Sequence, residues 1–237
     1  MTAGSATAHD EVTGDGTAVT PLPAYLRDRV ARLLAESGGR VLLGITGTPG
    51  AGKSTLAQSV VDHANRSGTP AVWVPMDGFH LADVQLDRLG LRERKGAIDT
   101  FDGHGYVALL RRLLTETANP VYAPAFDRVL EQPVAGSIAI DPETRLVVTE
   151  GNYLLDELEP WARTRALLAE SWFCDVSADE RRRRLVARHV EFGKSPAQAS
   201  AWVTEVDERN AGRIARTRDR ADLVVTTETP TRGTAHR

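Results

Sequence analysis

Cysteine is almost missing from this sequence. Its 237 residues contain one, Cys174, which excludes an internal disulfide framework and a cysteine-built zinc site. That residue follows Trp172 and Phe173 in an apolar run, the setting of a small core side chain rather than a nucleophile. A basic excess is missing too. Lys and Arg number 29 against 32 Asp and Glu, a formal net charge of −3, so bulk electrostatics gives no reason to expect a nucleic-acid partner. No apolar run is long enough to cross a bilayer, and no membrane partner is expected. Residues 1–20 carry no Lys or Arg and no apolar core, so they do not read as a signal peptide. Internal repeats are absent, and so is the Asn-Lys-x-Asp sequence that reads guanine.

What is present fits one globular domain, with or without an insertion. Hydrophobic residues make up 41% and charged residues 26%, ordinary for such a chain. Residues 1–20 are rich in Thr, Ala and Gly and are expected to be a disordered tail. Residues 229–237 read as a second loose end, which leaves 21–228 as the folded domain. A cytoplasmic location is expected, where free thiols and ATP are both found.

The most informative stretch is Gly47-Thr48-Pro49-Gly50-Ala51-Gly52-Lys53-Ser54. It matches G-x-x-x-x-G-K-[ST], the loop that cradles a polyphosphate. Glycines let backbone N–H groups close around the anion, and the following helix points its positive end at the same phosphates. Lys53 is expected to reach the β- and γ-phosphates and Ser54 to ligate Mg²⁺, with Thr55 offering a further hydroxyl. The flanks agree. Residues 40–46 form an apolar run of buried-strand type, and Leu56, Val60, Val61 and Ala64 recur at helical spacing.

Helices are expected over Pro23–Ser37, 53–66, Tyr106–Thr117 and Glu157–Ala169, and strands over 71–76, 145–150, 171–176 and 222–226. Ser177-Ala178-Asp179-Glu180 and Ser195-Pro196-Ala197-Gln198 read as capping boxes. The first opens a helix to about Val190 and the second a helix to about Ile214. Segment 78–104 has little clean periodicity. Strands alternating with helices predict an α/β three-layer sandwich with a mainly parallel sheet, and a site beyond the C-terminal strand ends.

Two acids sit at such ends. Asp77 follows the second strand, which is taken as the neighbour of the first, and faces the phosphate loop as a candidate base for an acceptor hydroxyl. Glu150 ends the third long strand, the place from which Mg²⁺ is held directly or through water, although Asp is the usual residue there. A cation cluster lies further on: residues 181–220 hold eleven Lys/Arg against five Asp/Glu. Arg181, Arg184 and Arg188 share one helical face. Arg184 and Arg188 are read as arginines of a lid over 177–215, and Arg182 and Arg183 as structural or solvent-facing. Arg94, Lys95 and Asp102, within 78–104, and Phe126 and Arg128, within 119–136, are candidate acceptor contacts. Each of these segments reads equally as a surface loop. His80 serves as well for an ordinary hydrogen-bonded histidine as for a ligand contact.

Taken together, Asp77-Gly78-Phe79-His80-Leu81, Arg94-Lys95-Gly96, Thr100-Phe101-Asp102 and Glu150-Gly151-Asn152-Tyr153 resemble the phosphoribulokinase/uridine kinase superfamily of P-loop kinases. That superfamily also includes type I pantothenate kinase and fructokinase-like proteins. The resemblance spans about Val41 to Val225. It implies Asp77 as catalytic base, Glu150 near Mg²⁺, Arg184 and Arg188 as lid arginines, and Asp102 at the sugar hydroxyls. It also implies Arg218, in the last helix-to-strand turn, near the adenine, and a homodimer as a family-level expectation. Phe126 stands where uridine kinases carry Tyr, and Asp127-Arg128 where pantothenate kinases carry Ser-His, so neither substrate transfers. The expected activity is ATP- and Mg²⁺-dependent transfer of the γ-phosphate to a hydroxyl of a small polar metabolite such as a nucleoside, a sugar or a pantothenate-like compound. The alternatives are a nucleotide kinase with a phosphate acceptor, and a nucleotide-binding regulator without transfer.

Overall fold

A computed structural model of the chain describes residues 21–227. The two tail segments expected from composition lie outside the described residues. A first helix, α1 (Ala24–Glu36), leads into β1 (Val41–Gly47), every residue of which is buried. The phosphate-loop sequence turns into α2 (Lys53–Arg66), which returns to β2 (Ala71–Pro75). Two helices follow, α3 (Asp83–Leu89) and α4 (Gly103–Thr115), then an antiparallel hairpin of β3 (Val121–Asp127) and β4 (Gln132–Ile140). The chain re-enters the main sheet as β5 (Leu146–Glu150) and β6 (Glu170–Asp175). It then forms α5 (Ala178–Glu191), α6 (Pro196–Trp202) and α7 (Glu208–Ala215), and ends in β7 (Leu223–Thr226).

The main sheet is parallel, in the order β2-β5-β1-β6-β7. Both faces are covered, as a parallel sheet requires. One core joins α1 and α2 to the sheet through Leu26, Leu43, Ile45, Val60 and Trp172; the other joins α4 and the hairpin through Leu42, Val74, Tyr106, Leu110 and Ile140. A buried polar chain ties the second core to the sheet just beneath the strand tips. The Tyr106 hydroxyl donates to Thr149 Oγ1 at 2.7 Å, and Thr149 donates to the Val74 carbonyl at 2.8 Å. Both buried hydroxyls of this chain of bonds thus have partners.

The three-layer α/β fold agrees with the sequence reading, and four local expectations need correction. β2 does not adjoin β1, because β5 lies between them. Residues 157–169 do not form an α-helix: Pro160 has no N–H to give, Trp161 turns into the core, and two short 3₁₀ turns result. Ser177 makes no side-chain capping bond to α5, and Glu180 instead takes Arg183 and Arg184. The Ser195 capping box does form, but the helix it starts passes through a π-helical turn at Val203–Asp207 before α7. The hairpin was not anticipated as such. Its alternation is broken by a register shift between Ala123 and Ala125, and Pro124 inside the run argues against a strand.

Candidate active site at the strand tips

The phosphate loop is held open by its glycines and by what lies under it. Gly50 has φ +79°, and a side chain there would stand 2.8 Å from Leu185 and 3.1 Å from the Arg181 carbonyl. The loop therefore rests directly on α5. Thr227 closes the other side, its hydroxyl donating to the Ala51 carbonyl at 2.5 Å. Gly47 ends β1, Thr48, Pro49, Gly50, Ala51 and Gly52 form the turn that follows, and Lys53, Ser54 and Thr55 open α2, as expected.

Lys53 is buried and donates to the Thr48 carbonyl at 3.0 Å. Burial pulls its pKa down; the charges of Glu150 and Asp77 oppose that shift, and Arg188 adds to it. Ser54 donates to Glu150 at 3.1 Å. Glu150 ends β5, between β1 and β2, level with Ile45 on one side and Pro75 on the other. Its carboxyl is pushed up to about 7, first by burial and then by the charge of Asp77, while Lys53 and Ser54 pull it back. Lys53, Ser54, Glu150 and Asp77 thus share one electrostatic neighbourhood, although the strand of Asp77 is two positions from β1.

Asp77 sits in a short 3₁₀ turn, Met76–Phe79, that leaves β2. The hairpin is seated on this turn: a side chain at Gly78 would strike the Pro124 carbonyl at 2.2 Å. Arg128, from the far end of β3, comes within 3.9 Å of Asp77. His80 Nδ1 lies 2.7 Å from the Asp77 carbonyl, and its ring packs between Phe101 and Phe126, at centroid distances of 4.0 and 4.8 Å. Burial lowers the His80 pKa, so the imidazole is neutral at physiological pH. Lys95 lies 5.2 Å above the Phe126 ring, but its ammonium is committed to Asp83 at 2.7 Å and the Glu131 carbonyl at 2.5 Å. Here it ties the loop to the hairpin.

The remaining candidates fall in different places. Arg184 bonds Glu180 at 2.7 Å and the Thr227 carbonyl at 2.8 Å, beside the phosphate loop. Arg188, on the same face of α5, is close enough to act on Lys53. Arg182 and Arg183 are exposed and paired with Asp179, Glu180 and Glu208. Asp102 is an exposed helix cap whose carboxylate accepts from the Gly105 N–H at 2.8 Å. Arg218 pairs with Asp175, at the end of β6, at 3.1 Å. Arg94 pairs with Asp99 at 3.1 Å and lines a separate groove against α7. Phe101 was passed over as a site residue in the sequence. Its signal was its place beside Asp102 in the Thr100-Phe101-Asp102 run, and its contact with His80 depends on a lone antiparallel bridge between the two residues.

The fold and this site define a P-loop nucleotide-binding protein. The family model for the methylmalonyl Co-A mutase-associated GTPase MeaB matches residues 24–78, from α1 to the turn of Asp77. The chain is 41% identical over 152 residues to the ATP-dependent kinase-like protein notR' of Aspergillus versicolor, covering 60% of this chain and 88% of that one. It is 35% identical over 182 residues to C227.14 of Schizosaccharomyces pombe, named as a candidate uridine kinase, covering 74% and 77%. The structure of a candidate fructose transport system kinase from Silicibacter sp. TM1040 superposes with a TM-score of 0.79 at 36% identity, covering 85% of this chain and 98% of that one. The chain belongs to the phosphoribulokinase/uridine kinase superfamily of P-loop kinases. No helix among the described residues is long and apolar enough to cross a membrane.

Proposed function

We propose that this protein is a kinase that uses ATP and Mg²⁺ to phosphorylate a hydroxyl of a small polar metabolite. The observation that carries this reading is the common field of Lys53, Glu150 and Asp77 at the strand tips. In it, the loop amides and Lys53 hold the polyphosphate. Asp77 aligns the acceptor hydroxyl and takes its proton on a carboxylate oxygen. The donor set fits Mg²⁺, a hard cation that takes oxygen ligands and needs one or two from the protein beside phosphate and water. Ser54 Oγ and Glu150 would hold it; when bound it offsets charge on the phosphate oxygens. Arg184 and Arg188 come over the triphosphate from α5 and help exclude water, which would otherwise spend ATP without transfer. His80, Phe101 and Phe126 offer the acceptor a largely apolar wall.

A second reading is favoured by one observation. Arg128 stands beside Asp77, where a guanidinium would suit a phosphate acceptor, as in a nucleotide kinase. A panel of nucleosides, sugars, pantothenate-like polyols and nucleotides, followed by acceptor-dependent ADP release, separates these. Release with a neutral polyol supports the proposal, and release confined to nucleotides favours the second reading. Equal ATP turnover with and without every acceptor would contradict both and favour a nucleotide-binding regulator.

A further inference from the structure

A groove away from the phosphate loop runs between the loop that carries Arg94, Ala97 and Ile98 and one face of α7. Its cavity is about 410 Å³, within the size range of small-ligand sites. Arg209, Arg213 and Arg216 line it from the helix, at spacings that put all three on one face. Like charges so placed repel, so the stripe weakens the helix that carries it.

The pairing of these cations is uneven. Arg213 is committed to Asp156, with two bonds of 2.6 and 2.8 Å. Arg94 is held by Asp99, in an exposed pair at 3.1 Å. Glu208, the acid on the same wall, is taken by Arg181 at 2.6 Å and Arg182 at 3.0 Å. Arg209 and Arg216 make no ion pair among the described residues. Among the described residues these two guanidinium groups on the groove lining therefore have no anion, and Asn210 lines the groove beside Arg209. Besides Glu208, acids enter where Glu93 and Glu205 line a smaller continuation of the groove.

A second observation concerns Gly212, which sits inside α7 and lines the same cavity. Glycine there costs about 1 kcal/mol of helix stability relative to alanine. Packing does not require it, since a side chain at this position would meet nothing within 4 Å. Its effect is to keep the floor of the groove open. A π-helical turn, a feature that recurs at functional sites, lies directly before α7 and rotates its face relative to α6.

We propose that this groove is a second anion-binding site, which takes a small phosphorylated metabolite between Arg94 on the loop and Arg209 on α7 with Arg216 at its C-terminal end. Guanidinium forks match phosphate oxygens in pairs, and the Ala97 and Ile98 wall suits the carbon skeleton. A ligand there bridges the 93–98 loop to the helical segment that follows α5. The phosphate ester has two sources, the acceptor itself or a separate effector, and the site is the same for both.

The test uses the full chain with its phosphate loop filled by a non-hydrolysable ATP analogue and Mg²⁺. Glycerol 3-phosphate and ribose 5-phosphate are titrated against glycerol and ribose, with melting temperature and calorimetric affinity as readouts. The esters are expected to raise the melting temperature by mass action where the neutral compounds do not. Arg209→Gln combined with Arg216→Gln is expected to weaken ester binding about tenfold or more, since charge-assisted bonds are lost, with binding of the ATP analogue unchanged. Gly212→Leu is expected to raise the melting temperature of the free protein yet abolish ester binding by filling the floor. With ATP in place of the analogue, an ester converted to product with stoichiometric ADP is the acceptor, and one bound but unchanged is an effector. Equal effects of esters and neutral compounds, or unaltered ester binding in both variants, would overturn the proposal.

Discussion

The two halves of the proposed site are built by different means. The nucleotide half is one continuous stretch, from Gly47 to Thr55, in which the backbone supplies the shape and Lys53 and Ser54 supply the chemistry. The proposed acceptor half is gathered from three separate segments: Asp77 with His80, Phe101, and the hairpin with Phe126 and Arg128. A local motif fixes what the first half can bind. The second half depends on long-range packing, so its specificity follows from how the hairpin sits on the Asp77 turn.

That contrast can be broken most severely at the phosphate loop. Lys53→Ala should lower turnover by about 10³-fold or more with any acceptor, since the transition-state charge loses its nearest cation. Steady-state assays across several acceptors would check that the loss is uniform. A change in the other half should behave differently. Phe126→Ala should raise the acceptor KM by roughly tenfold, through lost ring contact, and leave the ATP KM unaltered; parallel shifts in both constants would count against a division of labour.

The electrostatic seam between the halves gives a pH test. Burial and Asp77 hold the Glu150 carboxyl well above its unfolded value, at about 7. The folded state without ligand therefore binds an extra proton between the unfolded pKa near 4.5 and about 7. This contribution is fully present below the unfolded pKa and is lost as pH rises through the folded one. Melting curves of the nucleotide-free protein should show that loss, and Glu150→Gln should flatten it. The smallest effect is expected beneath the site. Tyr106→Phe leaves Thr149 without its donor and should cost about 1 kcal/mol in urea unfolding, with little change in KM for either substrate.

Much of the nucleotide half was legible because its residues are adjacent in sequence and its strand and helix have clean periodicities. Asp77 and Glu150 were legible too, as acids at the ends of apolar runs. What could not be read was strand order. Nothing local to β5 says that it inserts between β1 and β2, yet this insertion makes Glu150 the link between Lys53 and Asp77. The hairpin was hidden by Pro124 and the register shift beside it. Lys95 looked like a ligand contact, but Asp83 and the Glu131 carbonyl are distant in sequence and could not be paired with it in advance. The helix expected over 157–169 failed where Trp161 was worth more to the core, against Phe101, Tyr106 and Tyr153, than in a regular helix.

The most direct check on the proposed transfer is made on Asp77→Asn, an isosteric change that removes a charge and a proton acceptor. Affinity for a non-hydrolysable ATP analogue and kcat with the identified acceptor are measured on the same preparation. The account predicts affinity close to that of the parent protein and a kcat lower by about 10²- to 10⁴-fold, the range for loss of a general base. A kcat that survives the change would contradict it.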